Sequence, residues 1–216
     1  MELASTLYQS PYYEVAICAT RCPLNLAETA SLAEYMRETL EAHNLPGHFQ
    51  ARVRGPVLSH HRFKVALAGC PNACSEPQIK DFAVIAAVEL ATAPELCTGC
   101  GACLKACREG ALGVEEEGPR LDLERCLGCG LCARACATGA LTVARAGYRV
   151  LVGGKLGRHP QLAQTWLTFA DAATVRRAFV AALELWLAES HGERLGEILN
   201  RTGLAPLQAR LDQGVL

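Results

Sequence analysis

CTGCGACLKAC at residues 97–107 returns as CLGCGLCARAC at residues 126–136, so one C-x2-C-x2-C-x3-C unit is written twice. This spacing suits cubane iron–sulfur clusters: three thiolates come from one tight loop and the fourth from a following helical turn. In a doubled unit the fourth cysteine serves the other cluster. The expected ligand sets are therefore Cys97, Cys100, Cys103 and Cys136 for one 4Fe-4S cluster, and Cys126, Cys129, Cys132 and Cys107 for its partner.

The chain has twelve cysteines, and the four outside this repeat form two close pairs, Cys18 with Cys22 and Cys70 with Cys74. Four thiols are the number a third cluster needs. A zinc site, disulfides or plain burial are the alternatives for such pairs. Disulfides fit poorly beside eight thiols that must stay reduced to bind iron. The opening MELASTLYQSPYYEVAICAT has neither a basic n-region nor a long apolar h-region, so the expected location is cytoplasmic.

The 216 residues are 50% hydrophobic and carry 21 basic against 22 acidic side chains, for a net charge of -1. That balance argues against a nucleic-acid partner. The longest apolar run, FAVIAAV at 82–88, is too short for a membrane span, so no direct insertion is expected. The run Glu115 to Glu117 reads as a solvated turn between the two cluster repeats.

The fold class expected is α+β: an α/β domain assembled from residues 1–93 and 146–216, interrupted by a bacterial-type two-cluster ferredoxin domain at 94–145. RFKVAL at 62–67 alternates apolar and polar residues as a strand does, FAVIAAV reads as a buried strand, and YRVLV at 148–152 as a third, closed by Gly153 and Gly154. The insert thus occupies a strand-to-strand connection, where a module with nearby termini leaves the host core intact. A first helix is predicted from an Asn25 cap, with Glu28 three residues on, to about Asn44 before Pro46. Leu26, Ala30, Ala33 and Leu40 would face inward, Arg37 and Glu41 outward. A second helix is predicted after Asp171, burying Val175, Phe179, Ala182, Leu183, Trp186 and Leu187.

The flanking segments carry a resemblance. FKVALAGCPNACSEPQIKDFAVIAA resembles the second cluster motif of the siroheme-dependent sulfite and nitrite reductases, in particular the dissimilatory type. CATRCPLNLAE is similar to that family's first cysteine pair, with x3 spacing where x5 is usual. GYRVLVGGKLGRHP and GERLGEILNRTGL resemble its closing strand and terminal helices, and dissimilatory-type members carry a ferredoxin module between the same parts. The resemblance implies that Cys18, Cys22, Cys70 and Cys74 bind a 4Fe-4S cluster. It makes Cys74 the thiolate shared with siroheme, and Asn72 a residue that approaches the macrocycle. It also implies a half-domain ahead of the first pair. Only 17 residues precede Cys18, so the expectation is a truncated form, in which siroheme is lost or a second subunit supplies the missing wall.

Reduction of sulfite or nitrite needs cations around a bound oxyanion. The candidates are Arg54, Arg62, Lys64, Lys155 and Arg158, with Arg52, His60, His61 and His159 beside them. Two functions follow. One is an electron-transfer protein with three 4Fe-4S clusters, serving a redox protein partner or reductase complex. The other is a siroheme-dependent sulfite or nitrite reductase completed as a homo-oligomer. The dedicated cluster ligands put electron transfer first.

Overall fold

The computed structural model describes residues 4–115 and 118–214, and for residues 4–7 it describes the backbone. The strands are β1 (Ala4–Gln9), β2 (Tyr13–Cys18), β3 (Phe63–Ala68), β4 (Phe82–Thr92), β5 (Leu112–Glu115), β6 (Gly118–Leu121), β7 (Leu141–Val152) and β8 (Gln164–Ala170). The helices are α1 (Ala30–Ala42), α2 (Leu45–Arg52), α3 (Ala102–Ala106), α4 (Leu131–Ala135), α5 (Ala172–Glu189), α6 (Leu195–Thr202) and α7 (Ala205–Gln213). The chain divides into two compact units, residues 1–86 with 148–216, and residues 87–147. The interrupting unit therefore takes in the end of β4 and the start of β7.

The larger unit is built on a mixed sheet in the order β1-β2-β3-β4-β7-β8. β2, β3 and β4 run parallel, while β1 and β8 pair antiparallel at the edges. Successive residues of a strand face opposite sides. Val15 and Ile17 of β2, Val65 and Leu67 of β3, Val84 of β4 and Val150 of β7 join the main core with α1, α2, α5, α6 and α7. Ala66, Ala68, Ala83, Ile85 and Leu151 form a separate, smaller cluster. The parallel step from β2 to β3 runs through α1 and α2. The step from β3 to β4 is made by residues 69–81 with a single 3-10 turn, Pro77–Ile79, and it carries Cys70 and Cys74.

The helices show where local reading and tertiary demand part. α1 opens at Ala30, not after Asn25, and buries Leu32, Ala33, Met36 and Leu40, while Leu26 and Ala30 are half-buried. Glu28 still serves the helix start, accepting from the Ser31 amide at 3.1 Å. Asn44 does not end α1. It caps α2 by accepting from the Gly47 amide at 3.0 Å, and Pro46 sits in that helix's first turn, where its missing N–H costs nothing. Asp171 caps α5 through the Thr174 amide at 2.7 Å, and α5 buries Val175, Phe179, Leu183 and Trp186 against the sheet, with Leu187 half-buried beside them. His48 packs on Trp186, ring centres 4.7 Å apart, and burial pushes its pKa down to about 4.

One buried and one partly buried ion pair clamp the end of the 69–81 crossover. Asp81 is fully buried and accepts from Arg194 Nε at 2.7 and 2.8 Å, from the Lys64 amide at 2.7 Å and from the Leu195 amide at 3.1 Å. Lys80 Nζ reaches Glu14 at 2.9 Å. The Gly153-Gly154 turn packs directly behind them: a side chain at Gly154 would begin 2.4 Å from the Gln78 carbonyl oxygen, so only glycine fits.

The smaller unit contains the β5–β6 hairpin, the short helices α3 and α4, and the doubled cysteine loops. Each loop turns through glycines in the left-handed region, Gly99 and Gly101 in the first copy and Gly128 and Gly130 in the second. Among the described residues Cys103, Cys132 and Leu141 form a buried apolar cluster, with Leu90, Leu112, Val114 and Cys136 packed around it. Glu115 ends β5 and meets Arg120 at 3.1 Å. Glu116 and Glu117, the rest of the expected acidic turn, lie outside the described residues.

Candidate metal centres

In the smaller unit the eight repeat cysteines line two separate cavities. One is bounded by Cys97, Cys100, Cys103 and Cys136, the other by Cys107, Cys126, Cys129 and Cys132. Left-handed glycines turn each loop, and its three cysteines line one cavity. The five-residue helix that follows then carries its terminal cysteine, Cys107 or Cys136, to the opposite cavity.

Backbone amides point at several of these sulfurs. Cys107 Sγ accepts from the Ala111 amide at 3.3 Å, Cys126 Sγ from Gly128 at 3.4 Å, and Cys136 Sγ from Leu141 at 3.4 Å. Burial pushes the Cys132 thiol up to about 11, with Cys129 and Cys126 adding to the rise. Burial likewise raises Cys103, followed by its neighbours Cys136 and Cys100. The hydroxyl of Thr138 and the Leu141 amide hold Cys136 below the ordinary thiol value. Four thiols lining each cavity, with backbone N–H donors at several of the sulfurs, form a donor set that a cationic centre would deprotonate and fill. The residues present fit a cubane on these grounds.

In the larger unit the segments around Cys18 and Cys70 meet. The Gly69 amide donates to Cys18 Sγ at 3.0 Å. Burial raises both the Cys18 and Cys70 thiols. The charges of Cys22 and Cys74 add to each rise. Cys18 is buried and Cys74 exposed. Asn25 braces the first segment and lies against Gly69 of the second. Its Nδ2 donates to the carbonyls of Ala19 at 3.2 Å and Thr20 at 2.9 Å, and its Oδ1 lies 3.9 Å from Cys18 Sγ. The Leu26 amide donates to the Gly69 carbonyl at 2.7 Å. The place of Asn25 inside the CATRCPLNL segment is visible in the sequence, but its approach to Gly69 belongs to the fold. Asn72 is exposed, and Ala73 beside it holds a φ of 55°, a strained conformation for a residue with a Cβ.

The basic candidates separate. Arg62 and Lys64 gather around Glu14: burial opposes its ionisation, but the Lys80 hydrogen bond and the charges of Lys80, Lys64 and Arg62 hold its carboxyl below the usual range. Lys64 Nζ donates to Ser59 at 3.1 Å, and Arg62 Nε is buried with no hydrogen-bond partner among the described residues. Lys155 is engaged with Glu197 at 2.7 Å. Arg54 lines a separate surface cavity with Arg52 and His191, and Arg158 is exposed. No helix among the described residues is long and apolar enough to cross a membrane.

The family described as "Nitrite and sulphite reductase 4Fe-4S domain" matches residues 14–215. The coenzyme F420-dependent sulfite reductase of Methanocaldococcus jannaschii is 38% identical over 137 residues, 63% of this chain and 20% of that protein. One of the subunits of the anaerobic sulfite reductase of Salmonella typhimurium is 36% identical over 55 residues, 26% of this chain and 16% of that protein. The matched stretches thus span a fifth or less of these relatives. The crystal structure of dissimilatory sulfite reductase I shares the fold at a TM-score of 0.61 and 20% identity, covering 99% of this chain and 54% of that one.

Proposed function

The chain belongs to the nitrite and sulphite reductase 4Fe-4S domain family, and from that premise we propose that it holds three 4Fe-4S clusters and transfers electrons within, or to, a sulfite or nitrite reductase-like system. The observation that carries this reading is the sorting of eight thiols into two cavities of four, each mixing three cysteines of one repeat with the last of the other. Cys18, Cys22, Cys70 and Cys74 are the ligands proposed for the third cluster. A bound cubane supplies one-electron storage; the residues around it fix its place, exclude water and direct amide dipoles at sulfur. The smaller unit is read as a ferredoxin-type insert, with 94–145 as its cluster-bearing part. A reductase complex is the partner proposed, supported by a relative named as part of an anaerobic sulfite reductase. A cytoplasmic location follows from the need for reduced thiols.

A second reading adds siroheme at Cys74, with Asn72 beside it and Arg62 and Lys64 as oxyanion contacts. It is favoured by the exposure of Cys74, which leaves that thiol free to face a further group. Iron and sulfide analysis of anaerobically purified protein tests the first reading: about twelve irons per chain are expected, and about eight would remove the third site. The optical spectrum of the same sample tests the second, which a missing Soret band would end.

A further inference from the structure

The two cavities of the smaller unit are built from one repeat, yet they differ at two equivalent positions. After the first cysteine of each copy stands Thr98 in one and Leu127 in the other. Two residues after the last cysteine stands Thr138 in one and Glu109 in the other. Both threonines line the cavity of Cys97, Cys100, Cys103 and Cys136. Leu127 and Glu109 line the cavity of Cys107, Cys126, Cys129 and Cys132, whose wall also includes Leu90, Leu112 and Leu121.

Thr138 is oriented for donation. Its Oγ1 accepts from the Ala140 amide at 3.4 Å and lies 3.6 Å from Cys136 Sγ, so the hydroxyl hydrogen is left for the sulfur. On the other side, Arg125 donates to the main-chain oxygen of Glu109 at 2.6 Å. Its exposed guanidinium offsets the exposed Glu109 carboxylate in part. Apolar residues line both cavities, Val114, Pro119 and Leu141 the first, so what remains is the two hydroxyls of Thr98 and Thr138 against Leu127 and a side chain that donates nothing. One-electron reduction adds negative charge to a centre that is already anionic. Donors aimed at its sulfurs favour that step, and an apolar wall opposes it.

We propose that Thr138, with Thr98, sets the higher reduction potential of the pair at the Cys97/Cys100/Cys103/Cys136 cavity. An electron delivered by a one-electron donor protein to the Cys107/Cys126/Cys129/Cys132 cavity then passes downhill to it. The inference rests on the cluster reading above. It gives that reading a direction.

The test is a potentiometric titration of the anaerobically purified full-length chain, followed by electron paramagnetic resonance, with iron and sulfide measured on the same samples. Thr138→Val is expected to shift the higher-potential wave alone toward the oxidised form by about tenfold, ~59 mV for one electron. Thr138→Ser should leave it in place. Leu127→Thr, which needs no change at the first cavity, should raise the lower wave. An unmoved wave in Thr138→Val at full iron content, or movement of the lower wave instead, overturns the proposal. If Thr138→Val loses iron, Leu127→Thr decides: a lower wave that stays put overturns the proposal. Wild-type protein without two clusters in this unit removes the cluster reading, and the inference with it.

Discussion

Gly69 shows how little room the third thiol quartet leaves. Its φ is not left-handed, so backbone freedom is not the reason for glycine here. A Cβ at this position would stand 2.1 Å from Asn25 Oδ1, the side chain that holds Ala19 and Thr20 in the first cysteine segment. The same residue gives its amide to Cys18 and its carbonyl to Leu26. Gly69→Ala is therefore expected to displace Asn25 and part the two cysteine segments, costing ~1–3 kcal/mol by overpacking. It should also lower bound iron by about a third, one cubane of three, while the resonance signals of the other two clusters persist. Adding Asn25→Ala should restore part of the loss by clearing the obstruction. Full iron content in Gly69→Ala would show that the two segments do not share a metal.

At the scale of elements, Asp81 and Arg194 fasten the 69–81 crossover to the start of α6. The carboxylate is fully buried and has four hydrogen-bond contacts, two of them from backbone amides. Asp81→Ala would strand the buried Arg194 cation and leave the Lys64 and Leu195 amides without this acceptor. Removing one partner of such a pair costs ~3–5 kcal/mol. The expected result is a lower urea midpoint for the larger unit with unchanged clusters in the smaller; a loss below ~1 kcal/mol would mean that water or another group takes over. No local pattern in the sequence reveals this clamp. QIKDF is readable as a motif, but the partner of its aspartate lies 113 residues away. Cysteine spacing is legible because loop geometry around a metal is local. Asn25 imitates a helix cap because Asn-x-x-Glu is also a local pattern, whereas its partners sit at Ala19, Thr20 and Cys18. Pro46 imitates a helix stop because a helix's first turn and the residue after its end both accept proline.

Across the whole molecule the two units are stabilised by different means, and removal of iron should separate them. The larger unit packs the aromatic and aliphatic faces of its strands against α1, α2, α5, α6 and α7, with Phe49, Phe63, Phe82, Phe179 and Trp186 fully enclosed. In the smaller unit the buried residues are small side chains such as Ala87, Val88, Ala111 and Ala140, with Cys103, Cys132 and Leu141 as its apolar cluster. A hydrophobic core in a unit that small supplies no more than ~3–5 kcal/mol, and staples are needed below that size. Its cavities are lined by thiols instead, so the folding energy it lacks is expected to come from ligation, as in other small metal-dependent domains. Chelation under reducing conditions should therefore open residues 87–147 to protease first. The larger unit should keep its helical circular dichroism and its buried Trp186 emission, even though its own quartet is emptied. Iron and sulfide added back anaerobically should restore protection within 87–147. A chelated chain whose smaller unit still resists protease would mean that its backbone contacts suffice without metal.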